Sequence, residues 1–265
     1  MSATAAAPAP VLCDLDGVVW LSGVPLPGAP EAIAALRAAG RRVLFVTNNS
    51  WATVDQQEAT LAEAGIPASG DVISSAAAAA TLVLPGERVL VCGGPGVVEA
   101  LEQRGATPVG RDHAEGVDVV VVGFHRDFDY DEMAVAAGAV RAGARLVATN
   151  SDATYPTPHG PIPGGGAIVA GIAVAAGVDP VVAGKPHEPM AAAVAAAIGR
   201  DPGPMTDVIM VGDRVETDGF FAATLGAAFA LVRTGVTPLG AALPPGIAPA
   251  YDTADLASLV ALLGR

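Results

Sequence analysis

A short apolar run that ends in two aspartates, near the start of the chain, constrains the fold more than any other feature. The run Val11–Cys13 leads into Asp14 and Asp16, and Gly17 follows. An apolar run bounded by a turn signal predicts a buried strand of a parallel sheet. Ligands of open α/β sheets bind at the carboxyl ends of the strands, and strand residues two apart face the same side. Asp14 and Asp16 therefore repel each other unless a cation lies between them.

Later apolar runs end in further polar groups that we expect at the same sheet edge. One run ends in Thr47 and Asn48, and another leads to the lone Lys185. A fourth run ends in Asp213, and Asp218 lies five residues further on. Mg2+ prefers hard oxygen ligands and keeps waters for its remaining positions, so the aspartates predict a magnesium site. Hydroxyl, amide and ammonium groups are suitable donors to phosphate oxygens.

Four motifs together resemble the haloacid dehalogenase (HAD) superfamily of aspartyl phosphatases. In chain order they read DLDG, TNNS, GKP and GDRxxTD. Their order and spacing resemble subfamily IIA, which includes NagD-like and 4-nitrophenylphosphatase-like phosphatases. The resemblance extends from about Val11 to about Thr237, with Val18 as a minor departure where many relatives carry threonine. It implies an α/β fold: a Rossmann-like doubly wound parallel sheet core with an inserted α/β cap domain of the C2 type.

The resemblance also implies roles for the motif residues, with Mg2+ as the cofactor. Asp14 would attack phosphorus as a nucleophile, Asp16 would act as general acid and then base, and Lys185 would offset charge on the phosphoryl group. The implied metal-binding residues are Asp14, Asp16 through its backbone, Asp213 and Asp218, the last either as a direct ligand or behind one. The implied phosphate-binding residues are Thr47, Asn48, Asn49 and Lys185.

A break at Pro85-Gly86 divides the predicted elements into two groups. From Arg88 a new strand–helix series continues for about 100 residues, which is enough for a separate domain. We therefore predict a discontinuous catalytic core of residues 1–84 and 185–265 and an inserted cap of residues 85–184. Within the cap, the glycines from Gly93 to Gly96 are similar to a dinucleotide fingerprint. Glu99 stands where its third glycine should be, which favours a tight strand-to-helix turn.

The stretch from Thr149 to Gly166 is rich in proline and glycine and predicts a loop without regular secondary structure. Loops of this length in compact domains are often functional. In the resembling subfamily the corresponding stretch reaches over the active site and helps to select the substrate. Asn150, Asp152 and His159 are therefore candidate substrate-binding residues. The alternative is a surface loop in which these side chains form Asx turns or cap a helix.

The charge and apolar pattern of the chain limit its partners. A net charge of −13 leaves no basic stripe for nucleic acid and repels anions at long range. No apolar stretch reaches the roughly 20 residues of a membrane span, and the lack of a basic residue before Arg37 argues against a signal peptide. Cys13 and Cys92 are expected to be buried thiols. We therefore predict a cytoplasmic protein that binds neither nucleic acid nor membrane.

The predicted function is a Mg2+-dependent phosphatase of small phosphomonoesters, with a small phosphorylated metabolite as its partner. Sugar, glycerol or glycolate phosphates and nucleoside monophosphates all suit the subfamily, and p-nitrophenyl phosphate would be a reporter substrate. A phosphomutase and a catalytically silent phosphate-binding protein remain alternatives. A signalling receiver domain is much shorter, and a dehalogenase typically lacks the aspartate at position 16. The resemblance also predicts a homodimer formed through the cap.

Overall fold

The structure of the chain, a computed structural model, describes residues 8–21, 23–155, 157 and 159–264. It contains parallel sheets and helices, so the α/β prediction is confirmed. The strands are β1 (Val11–Cys13), β2 (Trp20–Leu21), β3 (Val24–Pro25), β4 (Val43–Thr47), β5 (Val72–Ser74), β6 (Arg88–Cys92), β7 (Thr107–Val109), β8 (Val119–Val122), β9 (Arg145–Ala148), β10 (Thr154–Tyr155), β11 (Ile162–Pro163), β12 (Val181–Val182), β13 (Ile209–Gly212), β14 (Ala228–Val232) and β15 (Tyr251–Thr253). The helices are α1 (Ala29–Ala38), α2 (Val54–Glu63), α3 (Ser75–Ala80), α4 (Pro95–Gln103), α5 (Tyr130–Arg141), α6 (Gly165–Ala176), α7 (Glu188–Ala197), α8 (Phe220–Leu225) and α9 (Leu256–Leu263).

The sheet that contains β1 is doubly wound, as predicted. Its strand order is β15-β14-β13-β1-β4-β5. The pairings of β1 with β13 and β4, of β13 with β14 and of β14 with β15 are parallel. The chain moves outward from β1 through β4 to β5, and later from β13 to β15 on the other side. The winding direction therefore reverses between β1 and β13, and such switch points are where ligands of open α/β sheets bind.

A second sheet lies in the region predicted to be the cap. Its strand order is β12-β9-β8-β6-β7, and these pairings are also parallel. The central strand β8 consists of four fully buried valines, which is typical of a parallel strand covered on both faces. Its apolar core includes Val120 and Val122 of β8, Ala136 of α5 and Ile172 of α6.

Compact packing divides the chain into two units, which we describe separately. Unit 1 comprises Met1–Val46, Glu58–Val72 and Gly203–Arg265, and unit 2 comprises Thr47–Gln57 and Ile73–Pro202. The buried core of unit 1 includes Leu15, Ile33, Phe45 and Val211. Grouping by packing does not identify an inserted domain, so the core of residues 1–84 and 185–265 with a cap of 85–184 stays a prediction.

Several helices begin and end where local chemistry predicts. Helix α1 carries proline at its start, Glu31 in its first turn and Arg37 in its last turn, which suits the helix dipole. Helix α5 begins after Asp129, whose side chain accepts a hydrogen bond from the Glu132 N–H at 2.8 Å. Helix α9 begins after Asp255 in the same way, because capping carboxylates satisfy N–H groups that have no partner within the helix.

The prediction of an irregular loop from Thr149 to Gly166 is wrong in two respects. Strands β10 and β11 form a short antiparallel hairpin inside it, with Tyr155 opposite Ile162. Proline at position 163 is tolerated because a two-stranded ribbon leaves one edge of each strand without a neighbour. The Tyr155 ring also stacks on Phe124, with centroids 5.3 Å apart. In addition, α6 begins at Gly165 instead of position 167.

Other differences from the predicted elements are small. The sequence predicts a helix from Ala76 to Leu84, whereas α3 spans Ser75–Ala80. The sequence predicts a turn-rich loop over residues 22–30, and strand β3, which pairs with β2, lies inside it. The glycine turn after β6 is tight because a Cβ atom at Gly96 would overlap the Ala52 carbonyl oxygen. Among the described residues, none of the helices has both the length and the apolar composition needed to cross a membrane.

Candidate active site

The carboxylates of three aspartates converge at the switch point of the unit 1 sheet. Asp14 follows β1, Asp213 follows β13, and Asp218 lies in the π-helical turn Val215–Gly219. Their ligand atoms all lie within 4.8 Å of one another. Strands β1 and β13 are adjacent, with Cys13 opposite Val211, so the residues that follow them emerge side by side. The sequence prediction that Asp14 and Asp213 meet at a sheet edge therefore agrees with the backbone.

Backbone groups of unit 1 hold the carboxylates in place. Asp213 is buried, and its Oδ2 accepts a hydrogen bond from the Val236 N–H. The Thr237 N–H donates to the Asp213 carbonyl oxygen at 3.1 Å. Asp218 is also buried, and its Oδ2 accepts from the Arg214 N–H at 3.1 Å. Both carboxylates are thus held in place by backbone donors.

Glycines leave the space that these carboxylates occupy. A Cβ atom at Gly17 would lie 2.5 Å from Asp213 Oδ2, and Gly17 has a φ of 89°. A Cβ atom at Gly235 would overlap the same carboxylate oxygen, and one at Gly212 would overlap the Asp218 side chain. The sequence analysis did not select Gly235. Its position in a polar loop just after the apolar strand β14 is the signal that could have identified it.

The donor chemistry of this cluster suits a small hard cation. Three carboxylates packed together repel one another strongly unless a cation offsets their charge. All three offer oxygen, the ligand that Mg2+ and Ca2+ prefer. The Asp16 carboxylate does not belong to this group among the described residues. Asp16 lies in a tight turn, where the following Gly17 N–H donates to the Trp20 carbonyl at 2.7 Å, so its expected contribution through the backbone remains a prediction.

The predicted phosphate-binding residues lie in unit 2. Thr47 ends β4, and its Oγ1 accepts a hydrogen bond from the Asn49 N–H at 3.0 Å. Asn49 Oδ1 in turn accepts from the Trp51 N–H at 3.0 Å. These successive side-chain turns fix the loop after β4 without a helix or strand. Thr47 and Asn48 are buried, whereas Asn49 is partly exposed.

The side chain of Asn48 is bonded to Lys185, which lies 137 residues later in the sequence. Asn48 Oδ1 accepts from the Lys185 N–H at 2.8 Å, and Nδ2 donates to the Lys185 carbonyl oxygen at 3.1 Å. Lys185 is 2% exposed, although lysine is rarely buried without a functional reason. Burial also lowers the pKa of the nearby His187 imidazole.

Two of the three candidates in the cap stretch join this group, and the third does not. Asn150 Nδ2 donates to the Asn48 carbonyl oxygen at 2.8 Å. Asp152 Oδ2 accepts from Asn48 Nδ2 at 3.0 Å. His159 is exposed in a turn, where its backbone N–H donates to Thr157 Oγ1 at 3.2 Å. The alternative of Asx turns also holds for Asn150, because its Oδ1 accepts from the Asp152 N–H at 3.1 Å.

Comparison with family models places the chain among known hydrolases. Residues 11–107 match the model described as haloacid dehalogenase-like hydrolase. Residues 182–259 match a second HAD-hydrolase-like model. These two ranges contain all four motifs found in the sequence.

Two curated relatives match almost the whole chain. A D-glycerol 3-phosphate phosphatase of Mycobacterium tuberculosis is 39% identical over 256 residues, which cover 94% of this chain and 70% of the relative. An acid sugar phosphatase of Staphylococcus aureus is 34% identical and is covered to 97% of its length, against 96% of this chain.

Two solved structures share the fold at similar coverage. A p-nitrophenyl phosphatase from Archaeoglobus fulgidus has a TM-score of 0.86 at 29% identity, and the match covers 96% of this chain and 99% of that one. A glycerol phosphate phosphatase from Mycobacterium tuberculosis in complex with magnesium has a TM-score of 0.84 at 36% identity. That match covers 97% of this chain and 78% of the other.

Proposed function

Because the chain belongs to the haloacid dehalogenase-like hydrolases, as a phosphatase of the NagD-like subfamily IIA, we propose that it hydrolyses small phosphomonoesters through an aspartyl-phosphate formed on Asp14. The observation that carries this proposal is the convergence of Asp14, Asp213 and Asp218 within 4.8 Å at the switch point of the sheet. Asp14 is partly exposed, whereas Asp213 and Asp218 are buried. Asp14 is the first aspartate of the DLDG motif, and it is the carboxylate that we assign to the attack on a substrate.

The proposed reaction has two steps that use the carboxylates of the DLDG motif. In the first step a carboxylate oxygen of Asp14 forms a bond to phosphorus, the bond from phosphorus to the ester oxygen breaks, and Asp16 protonates the departing alcohol. In the second step Asp16 takes a proton from water, the resulting hydroxide attacks phosphorus, and the bond to Asp14 breaks. Inorganic phosphate leaves and both carboxylates return to their starting states.

Mg2+ is the cofactor of this site. We propose that Asp14, Asp213 and the backbone of Asp16 bind it, with Asp218 either as a further ligand or behind Asp213. When bound, the ion offsets charge on the phosphoryl oxygens and on the packed carboxylates. The glycerol phosphate phosphatase whose structure contains magnesium supports this assignment by its similarity. The hydrogen bonds to Asp213 and Asp218 keep these side chains oriented before the ion arrives.

The phosphoryl group needs positive or donating partners because the net charge of the chain is −13. We propose Lys185 as the charge partner of the phosphoryl group, since the chain has no other lysine and this one is buried. Thr47 Oγ1 accepts a hydrogen bond from the Asn49 N–H, so the Thr47 O–H points elsewhere. This hydroxyl is therefore suited to donate a hydrogen bond to a phosphate oxygen. Asn48, through its backbone N–H, and Asn49, through its side-chain amide nitrogen, are proposed to complete this set.

The substrate is proposed to be a small phosphate ester of a sugar, glycerol, glycolate or a nucleoside. The activities in the names of the two curated relatives, on glycerol 3-phosphate and on sugar phosphates, support this range. Asn150, Asp152 and His159 are the proposed substrate-selecting residues. We further propose that the protein works in the cytoplasm, and the burial of both cysteine thiols, Cys13 and Cys92, is compatible with a reducing compartment.

The experiment that tests the proposal is hydrolysis of p-nitrophenyl phosphate with Mg2+ and then with EDTA. Asp14→Asn removes the nucleophile at constant shape, so we expect turnover to fall to the background level. Asp112→Asn is the matched control, because Asp112 is exposed in unit 2 and should keep full activity. Mass spectrometry after acid quenching should detect one added phosphoryl group on the wild type and none on Asp14→Asn. Activity that survives in Asp14→Asn would overturn the proposed intermediate.

Natural esters would then define the leaving group. A panel of glycerol, glycolate, sugar and nucleoside monophosphates should give at least one substrate with a higher kcat/KM than p-nitrophenyl phosphate. Phosphate transfer between two positions of a sugar, without release of inorganic phosphate, would instead identify a phosphomutase. Binding of these esters without turnover by well-folded, magnesium-loaded protein would identify a silent phosphate-binding protein.

A further inference from the structure

The amide of Asn48 has all of its hydrogen-bonding groups committed inside unit 2. A primary amide has two N–H donors and one carbonyl oxygen. Asn48 Nδ2 donates to the Lys185 carbonyl oxygen at 3.1 Å and to Asp152 Oδ2 at 3.0 Å. Asn48 Oδ1 accepts from the Lys185 N–H at 2.8 Å. The side chain therefore pairs with both backbone polar groups of Lys185, much as a neighbouring strand would.

The chemistry of the partners fixes the orientation of this amide. The Lys185 N–H can only donate, so it must face the oxygen of Asn48. The Lys185 carbonyl oxygen can only accept, so it must face the nitrogen, where Asp152 Oδ2 accepts as well. A flipped amide would lose all three hydrogen bonds and bring oxygen against oxygen twice. Asp152 thus supplies a second acceptor that holds Asn48 in the one orientation compatible with Lys185.

Further hydrogen bonds hold Asn48 and Asp152 themselves. The Asn48 carbonyl oxygen accepts from Ser75 Oγ and from Asn150 Nδ2, each at 2.8 Å. The Asp152 N–H donates to Asn150 Oδ1 at 3.1 Å, and its carbonyl oxygen accepts from the Gly166 N–H in the first turn of α6. Asn150 therefore links the two residues that act on Lys185.

Close packing leaves this group no freedom to rearrange. Asn48, Asn150 and Lys185 are 9%, 4% and 2% exposed, so their hydrogen bonds are shielded from water. A Cβ atom at Gly184 would lie 2.6 Å from Asn48 Oδ1. Glycine is thus the residue at 184 that allows the Asn48 amide to reach the Lys185 backbone. A buried network of this kind is strongly orienting when every member has its partner.

We propose that Asn48 and Asp152 are positioning residues that fix the backbone of Lys185, and that Asn48 serves the reaction through Lys185 rather than through its own side-chain contact with phosphate. We call Asn48, Asp152 and the Lys185 backbone the lysine clamp. A lysine side chain is long and flexible, and fixing its backbone removes one source of error in placing the terminal amino group. The clamp rests on the proposed phosphatase function, because it explains how Lys185, the proposed partner of the phosphoryl group, is oriented.

Two substitutions disrupt the clamp, and a third serves as the isosteric control. Asn48→Asp keeps the shape and the acceptor for the Lys185 N–H, but it loses both donors and places a second carboxylate beside Asp152. Asp152→Ala removes the acceptor of the Asn48 amide, whereas Asp152→Asn keeps an oxygen that can accept. We expect kcat for p-nitrophenyl phosphate to fall by about 10²-fold in Asn48→Asp, since misplacement by about 1 Å costs this much. Asp152→Ala should lose activity and Asp152→Asn should restore most of it.

A double-variant test asks whether Asn48 acts through Lys185. In a Lys185→Ala background, Asn48→Asp should cause little further loss, because the residue that it positions is already gone. Losses that multiply instead would overturn the clamp and make Asn48 an independent phosphate ligand. Gln103→Glu is the control for an amide-to-acid change, because Gln103 is exposed at the end of α4 and should leave activity unchanged.

A spectroscopic arm tests the clamp without turnover. Since Lys185 is the chain's single lysine, protein labelled with 13C,15N-lysine gives one lysine spin system. We expect its amide and side-chain signals to shift in Asn48→Asp and Asp152→Ala and to stay near their wild-type positions in Asp152→Asn and Gln103→Glu. Unchanged lysine signals in Asn48→Asp would overturn the clamp. A wild-type protein without phosphatase activity would refute the proposed function alone, because the lysine signals would still report on the clamp.

Discussion

The Asp213 carboxylate illustrates how much of the candidate metal site depends on residues that carry no chemistry. Gly17 and Gly235 both approach its Oδ2 closely, and Gly17 adopts a left-handed φ of 89°. The Val236 N–H that donates to Asp213 belongs to the residue directly after Gly235. Gly235 therefore serves twice, because it leaves room for the carboxylate and brings a donor to it.

Gly235→Ala should weaken metal binding more than it weakens the fold. The new methyl group would overlap Asp213 Oδ2 and push this carboxylate away from Asp14 and Asp218. Displaced metal ligands or their supports commonly cost 10–100-fold in affinity, so we expect a rise of roughly that size in the Mg2+ concentration for half-maximal activity. Calorimetric titration with Mg2+ should show the same loss.

Gly203→Ala is the matched control for this substitution. Gly203 also lies in unit 1, and its Cβ position has no atom within 4 Å. We expect the Mg2+ affinity of Gly203→Ala to equal that of the wild type. An equal loss in both variants, or no loss in Gly235→Ala, would show that the close approach to Asp213 does not govern metal binding.

At the scale of single elements, the sequence predicts what depends on local pattern and misses what depends on distant contacts. The sequence pattern alone predicts strands β8, β9 and β14 and helix α8 with the observed bounds, because each is an apolar run between clear turn signals. The β10–β11 hairpin was missed because its stacking partner, Phe124, lies about thirty residues earlier in the chain. The π-helical turn that presents Asp218 has no local signature at all.

The N-cap of α9 allows a prediction about one element and its dependence on pH. Asp255 accepts from the Ser258 N–H at 2.7 Å, and this bonding to Ser258 lowers the pKa of the Asp255 carboxyl. Asp255→Ala should reduce the free energy of unfolding by about 1 kcal/mol at pH 7, the usual value of an N-cap. Asp255→Ser should retain most of the stability because its hydroxyl can also cap.

The sign of the pH effect follows from the lowered pKa. A carboxyl with a lower pKa in the folded than in the unfolded state stabilises the protein above the unfolded value of about 3.9. That contribution is lost as the pH falls through the folded pKa. Urea unfolding should therefore show a difference between wild type and Asp255→Ala that is full at pH 7 and shrinks below about pH 4. A difference that grows in acid would contradict the capping role.

At the scale of the whole molecule, contacts between residues far apart in the sequence could not be predicted from the sequence. The motifs identified Asp14, Asp213 and Lys185 because each follows an apolar run. They could not identify the pairing of Asn48 with the Lys185 backbone, since the two residues are 137 positions apart and the contact depends on Gly184. The grouping of residues 47–57 and 185–202 with residues 73–184 in unit 2 could likewise not be predicted from local pattern.

We propose a surface of unit 2 as the interface of the predicted homodimer through the cap. Val174, Val178 and Val181 are 84%, 44% and 54% exposed at the end of α6 and on β12. A cavity of about 310 Å³, lined by Leu82, Val178 and Val181 among others, adjoins them. Strand β12 is also the edge of its sheet. Exposed apolar groups beside an open strand edge favour a self-complementary contact about a two-fold axis.

Val174→Glu combined with Val181→Glu should therefore produce a monomer. Placing two carboxylates per chain in this surface would bury like charges against each other across a two-fold axis. We expect analytical ultracentrifugation to give a dimer for the wild type and a monomer for the double variant, with the circular dichroism of both unchanged. Leu239→Glu is the control, because Leu239 is 76% exposed in unit 1 and should leave the dimer intact. A wild-type monomer at micromolar concentration, or a double variant that still dimerises, would exclude this surface as the interface.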